Sequence, residues 1–135
     1  MATPFEVYLV TPEREVWSGQ ATMVVARGSE GEVGILAGHA PMLIQLAIGP
    51  LFIDPAEGER VAAAIDGGFL HVVSFEGVTR VDVLAEHAEL QHEIDLDQAR
   101  RQKEEAERRL QHQGDAAAAS ELAKATTRLG LHDLT

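Results

Sequence analysis

The sequence predicts an N-terminal antiparallel β-sandwich of about ten strands over residues 1–88, followed by a C-terminal antiparallel two-helix hairpin over residues 91–135. Three observations carry this. The first half is a series of short β-rich runs divided by Gly and Pro turns. Near residue 90 the apolar spacing changes from two to three and four. The charge pattern changes there too: residues 1–88 hold 12 acids and 4 bases, whereas residues 89–135 hold 10 acids and 7 bases in a shorter length.

Taken in order, Phe5-Glu6-Val7-Tyr8-Leu9-Val10 puts Phe5, Val7 and Leu9 on one strand face. Thr11-Pro12-Glu13-Arg14 turns the chain, because Pro12 fixes its own φ and has no ladder donor. Val16-Trp17 and Ala21–Ala26 are the next β-rich runs, broken at Ser18-Gly19 and closed by Arg27-Gly28. Ser29 to Leu43 is glycine-dense and reads as shaped backbone against which another surface docks; Gly31, Gly34, Gly38 and Pro41 set its form. Leu51-Phe52-Ile53, Val61–Ile65, Phe69–Phe75 and Val78–Leu84 follow as strands, with a break at Asp66-Gly67-Gly68. In the last run Val78, Arg80, Asp82 and Leu84 alternate with Thr79, Val81, Val83 and Ala85. Two packed sheets are needed, since one sheet would leave an apolar face in water.

Helix one starts at Ile94-Asp95-Leu96-Asp97-Gln98, with Asp95 as the cap and Gln98 three residues on. Its seam is Leu96, Ala99, Ala106 and Leu110, with Lys103 at the missing heptad position. Opposite charges recur at i,i+4, as in Arg100/Glu104 and Lys103/Glu107. Gly114 suits a C′ position, Asp115 the next cap, and helix two runs from Ala116 to about Leu129, with Gly130 as its stop. Ala118, Leu122, Ala125 and Leu129 form its seam. A seam so rich in alanine buries little area, so the hairpin must lean on the sandwich or on a partner, and exchanging one for the other costs little.

Composition excludes several classes of function. A net charge of −11 argues against nucleic acid and against direct docking on anionic lipid. With no cysteine there is neither disulfide framework nor thiolate chemistry. No apolar run approaches the roughly 20 residues of a membrane span, and Met1–Glu6 lacks the pattern of a secretory signal. No catalytic constellation emerges. His92-Glu93-Ile94-Asp95-Leu96 begins like a zinc motif, but Leu96 stands where the second histidine belongs, so no metal site is expected. His39 lacks an orienting neighbour in sequence, and no serine lies in a nucleophile elbow. The bases of helix one are offset by its acids, whereas Lys124 and Arg128, four apart, have only Glu121 close by and suit an acidic partner. An interaction protein fits better than an enzyme.

Gly31-Glu32-Val33-Gly34-Ile35-Leu36-Ala37-Gly38-His39-Ala40-Pro41 closely resembles the G-E-x-G-I-L-x-G-H-A-P segment of the epsilon subunit of the bacterial F-type ATP synthase. Matches fall in order on either side: Val7–Pro12 with Val16–Ala21, Asp66-Gly67-Gly68-Phe69-Leu70-His71-Val72, Val83–Ala88, and Glu121–Ala125 in helix two. The resemblance implies the same two-part fold and a non-catalytic place in the rotor's central stalk, peripheral on the cytoplasmic face of the bacterial membrane. Partners would be the gamma subunit, the c-ring, and the alpha and beta subunits when the hairpin extends to inhibit ATP hydrolysis. Carried over residue by residue, Gly31, Glu32, Gly38 and His39 face the polar loops of the c-ring, and Lys124 and Arg128 meet the beta subunit. No cofactor is implied beyond a regulatory ATP, held in some members by an I/L-D-x-x-R-A motif. Leu96-Asp97-Gln98-Ala99-Arg100-Arg101 matches it at Leu96, Asp97 and Arg100, with Arg101 in place of the alanine. Anchoring instead on Ala106–Leu110 puts Ile94-Asp95 in the motif and Gln98 at its arginine. A free-standing β-sandwich that binds a ligand beneath a helical lid is the alternative of a different class; a small metal enzyme using His87 and His92 stands third.

Overall fold

The computed structural model describes residues 2–113 and 115–132. Seven strands precede the helices: β1 (Phe5–Val10), β2 (Glu15–Gly28), β3 (Gly31–Ile35), β4 (Met42–Pro55), β5 (Val61–Phe75), β6 (Val78–Ala85) and β7 (Ala88–Leu90). After a 3-10 turn at Gln91–Glu93 come α1 (Leu96–Gln113) and α2 (Ala116–His132). The strand order is β1-β6-β5-β4-β2-β3, with β7 on β5, and pairing of β1 with β2 closes the sheet on itself.

Three strands are shared between two layers, which reconciles seven strands with the ten-segment expectation. β2 pairs with β1 over its first half and with β3 and β4 over its second. β4 starts on β5 alone and gains β2 from Leu46 onward. β5 carries β7 on its first half and β6 on its second. Each layer therefore has five segments. The breaks expected at Ser18-Gly19 and Asp66-Gly67-Gly68 do not end strands: β2 pairs with β1 straight through Ser18 and Gly19, and β5 bends at Gly67 and pairs on from Gly68. Gly67 and Gly68, at φ +97° and +123°, take the β5 bend in a conformation closed to most side chains. One pair departs from the antiparallel expectation: β1 and β6 run parallel, from Glu6 opposite Arg80 to Val10 opposite Leu84.

Alternation decides what is inside. Phe5, Val7 and Leu9 are buried, as are Thr79, Val81, Val83 and Ala85 on β6. All but Thr79 join Val24, Ile35, Leu51, Ile53, Leu70 and Val72 in one core. The hairpin seam is the expected one at Ala99, Ala106, Ala118 and Ala125, all essentially fully buried. Asp95 caps α1, its Oδ1 accepting from the Gln98 amide at 3.0 Å. Asp115 caps α2, accepting from the Ala117 amide at 2.8 Å. Its other oxygen accepts from Arg109 at 2.8 Å, which ties the end of α1 to the start of α2 and holds the Asp115 carboxyl below its usual range, the Arg109 bond first and the Ala117 amide second. Gly114, expected as the C′ residue, lies outside the described residues.

Two helix expectations are corrected. Of the i,i+4 ion pairs anticipated on α1, only Lys103–Glu107 closes, at 3.9 Å, among the described residues. Exposed pairs of this kind gain too little to hold long side chains in one geometry. Gly130 does not stop α2, which runs on to His132. That extra turn carries Leu131, only 2% exposed, into a second small cluster with Ala62, Ala64, Phe52 and Ile94. α2 thus lies on β4 and β5, and α1 packs on α2.

Candidate functional site

The glycine-dense segment is two turns joined by an edge strand. Gly28 and Gly31 face each other across β2 and β3, with Ser29-Glu30 between them as a tight turn. Gly31 has φ +132° and opens β3, and Glu32 follows it, exposed and opposite Arg27. Gly38 and His39 lie beyond the other end of β3. At roughly 3.3 Å per residue, the five residues of β3 separate the two turns by about 13 Å. The structure therefore sets Gly31 with Glu32 and Gly38 with His39 at opposite ends of one edge, whereas the sequence reads them as a single loop. A groove of about 340 Å³ runs beside the first turn, with Glu30 and Glu32 on one side and Leu43 and Ile44 on the other. Gly34, between the turns, has no left-handed φ, and a Cβ there would meet nothing within 4 Å. Its bareness serves no neighbour inside the chain and suits a surface approaching from outside.

The second turn is a type II turn. The His39 amide donates to the Leu36 carbonyl at 3.2 Å, and Gly38 occupies the third position with φ +83°. His39 Nδ1 lies 2.8 Å from the Ala40 carbonyl oxygen. A carbonyl only accepts, so Nδ1 carries the proton, and a neutral ring keeps Nε2 as an acceptor. The turn rests on the β5–β6 hairpin, whose Glu76 and Gly77 both have positive φ. At the tip of that hairpin Phe75 and Val78 face each other across the strands, 72% and 65% exposed.

Sequence reasoning missed these two side chains. The signal lay in strand parity: Val78 and Leu84 share the solvent side of β6 with Arg80 and Asp82, where an apolar residue has no internal use. Further up the same outer face Phe69 pairs with Leu84, beside a shallow apolar hollow that reaches Val10 and Pro12. Arg80 covers part of this face, stacking on Tyr8 at 4.4 Å and bonding Asp82 at 3.1 Å.

At the joint between hairpin and sandwich, Arg128 is the centre. Its Nε donates to Glu89 Oε1 on β7 at 2.8 Å, its Nη1 to Gln102 at 3.1 Å and its Nη2 to Gln98 at 3.3 Å. One guanidinium thus links β7, α1 and α2, with only 12% of its side chain exposed. Gln102 also donates to Glu121 at 2.6 Å, and Lys124 pairs with Glu121 at 3.6 Å. Beneath them is a polar cavity of about 310 Å³, which Asp66 and His87 line from the sandwich and Lys124 and Arg128 from α2. Burial pushes the Asp66 carboxyl above its usual range, with Lys124 and His87 opposing.

The hinge has its own clamp. Glu93 accepts from Arg14 twice, at 2.8 and 3.0 Å, and from the Leu90 amide at 2.9 Å. The Arg14 bonds, and next the Leu90 amide, hold the Glu93 carboxyl below its usual range. Asp97 and Arg100 are elsewhere: both are exposed, 3.6 Å apart, and paired with each other on the outer side of α1. The residue of the second register, Gln98, is the one that reaches the joint. Among the described residues no group of three or more His, Cys, Asp and Glu side chains is arranged to hold a metal, and no helix is long and apolar enough to cross a membrane.

A sandwich with an acidic, glycine-shaped edge and a hairpin held mostly by polar contacts defines a docking subunit. Comparison with known proteins gives the family. A family model described as ATP synthase, Delta/Epsilon chain, beta-sandwich domain matches residues 4–91, and one described as ATP synthase, Delta/Epsilon chain, long alpha-helix domain matches residues 92–131. The chain is 45% identical over 118 residues to the ATP synthase epsilon chain of Streptomyces avermitilis, covering 87% of this chain and 89% of that one. It is 45% identical over 125 residues to the epsilon chain of Thermobifida fusca, covering 91% and 88%. Among solved structures it is similar to a chain of the Euglena gracilis mitochondrial ATP synthase OSCP/F1/c-ring assembly, with TM-score 0.78, 27% identity, and coverage of 98% of this chain and 82% of that one. The chain belongs to the ATP synthase delta/epsilon family. Its role is that of a non-catalytic central-stalk subunit of ATP synthase.

Proposed function

We propose that this subunit transmits rotation between the c-ring and the catalytic head, and restrains ATP hydrolysis by releasing its hairpin from the sandwich. The observation that carries the second half is Arg128. Folded, it is committed to Glu89, Gln98 and Gln102. Extended, Arg128 becomes a free cation that, with Lys124 four residues before it, can meet an acidic segment of the beta subunit, so the two engagements of Arg128 exclude each other. The cost of release is modest because Leu131 is the largest apolar side chain that α2 buries against the strands.

For the stalk contacts, two surfaces of different chemistry support two partners. The apolar face around Phe69 and Leu84 suits the permanent contact with gamma, since permanent interfaces are the more apolar ones. The edge holding Gly31, Glu32, Gly38 and His39 suits the polar loops of the c-ring; Glu30 and Glu32 favour a basic side chain in the groove, and Gly34 allows close approach. On this reading the subunit works at the membrane surface as a peripheral component, on the cytoplasmic face in a bacterium.

A regulatory ATP belongs to the same reading. The sequence offers two registers for it, and the geometry supports the second: Lys124 and Arg128 face the cavity with Gln98, while Asp97 and Arg100 neutralise each other outside. Two measurements test the proposal. Tagged subunit should co-purify gamma and the c-ring, and a chain with no affinity for either would sink the stalk reading. Calorimetric titration with ATP should give heat that Lys124→Ala removes and Arg100→Ala leaves; no heat at millimolar nucleotide excludes the regulatory site.

A further inference from the structure

We infer that Thr79 is the positioning residue of the Leu36–Pro41 turn, through a hydrogen bond from the Gly38 amide to its hydroxyl. The inference rests on the reading of that turn as part of the docking edge.

Thr79 is the one buried polar or charged residue among the described residues, 4% exposed at a strand position otherwise given to core side chains. Its Oγ1 accepts from the Gly38 amide at 2.8 Å, across 41 residues of sequence. The bond is not incidental to the turn. In a type II turn the peptide between the second and third residues has its amide outside the turn's own hydrogen bond. That peptide is Ala37–Gly38, so its N–H needs a partner from elsewhere. Thr79 supplies it from β6. Rotation of this peptide turns a type II turn into a type I turn and carries the Gly38 N–H away from Oγ1. The hydroxyl therefore favours one of the two turn forms. That form fixes where the next residue, His39, presents its ring. A valine at 79 would fit the core as well and the strand better. The hydroxyl has no other bond among those of the described residues, so holding the turn is its use.

The test pairs Thr79→Val, which keeps the shape and removes the acceptor, with Thr79→Ser, which keeps the acceptor. Two readouts are needed. Hydrogen exchange at the Gly38 amide of the isolated chain should accelerate at least about fivefold in Thr79→Val, the worth of one net hydrogen bond, and stay near wild type in Thr79→Ser. In complexes assembled with each variant, ATP-driven proton pumping per ATP hydrolysed should fall for Thr79→Val and recover for Thr79→Ser. Unchanged Gly38 exchange in Thr79→Val overturns the inference. So does faster exchange with full pumping while His39→Ala lowers pumping, since the turn's order would then not matter. Full pumping in both His39→Ala and Glu32→Ala overturns instead the docking reading, and the functional half of the inference with it. If Thr79→Val does not fold, the wild-type chain decides: an unprotected Gly38 amide overturns the inference, and a protected one supports it.

Discussion

Replacing Leu131 with alanine should detach the hairpin and leave the sandwich as stable as before. Leu131 fills the space between Ala62, Ala64, Phe52 and Ile94, in a cluster separate from the main core. Truncating a buried leucine costs about 2–5 kcal/mol. The remaining docking contacts are mainly polar: the Arg128–Glu89 pair and the bond from Gln91 to the Leu131 carbonyl. A loss of only 3 kcal/mol shifts a docking equilibrium by about a hundredfold. Hydrogen exchange over α2 and the facing stretch of β5 should then rise at least about thirtyfold, the low end of that range, while the unfolding midpoint seen by the Trp17 fluorescence stays put. A parallel drop in both would mean that hairpin and sandwich unfold as one unit.

The second large effect lies in the sandwich. Gly68→Ala should cost more than about 3 kcal/mol and abolish accumulation of folded chain. A Cβ at Gly68 would stand 2.1 Å from the Leu84 carbonyl oxygen and 2.8 Å from the Ala85 Cα, both backbone atoms of the paired strand. The backbone there is also at φ +123°. Neither obstacle can be relieved by a rotamer change. Gly34→Ala is the contrasting case, because its Cβ meets nothing and its φ is ordinary. Thermal unfolding should show that variant within about 0.5 kcal/mol of wild type, whatever it does to assembly.

These two glycines show where sequence reading succeeds and where it stops. Glycine density near residues 28–41 marks a shaped edge, and Gly31 and Gly38 do take left-handed backbone there. The same reasoning reads Gly67-Gly68 as a strand break, although the chain bends and continues pairing. Composition cannot tell a bend from a break, since both need positive φ and only the partner strand decides which occurs. Alternation finds the core faces of β1 and β6 because period two survives any tertiary context. β3 and the first half of β4 escape the sequence reading: the glycines of β3 read as turn, and Met42–Ile48 is a nearly continuous apolar run with no period-two alternation to mark a strand. At the joint, Arg128 and Lys124 stand out as unbalanced charge, but Glu89 is not legible as the counterpart of Arg128 across 39 residues of sequence. Leu131 was hidden by Gly130, a residue that stops many helices and does not stop this one. The nucleotide motif was ambiguous by two residues, and only the facing of helix α1 separates Gln98 at the joint from Arg100 outside it.

In the proposed function the hairpin is separable from the sandwich and acts on hydrolysis. Its most direct test is ATP hydrolysis by complexes assembled with a chain ending at Gln91, which keeps β7 and its pairing with β5. The shortened chain should fold, assemble with the stalk, and release a several-fold faster ATP hydrolysis than the full chain allows. An unchanged rate in a fully assembled complex, or a shortened chain that no longer folds, would contradict it.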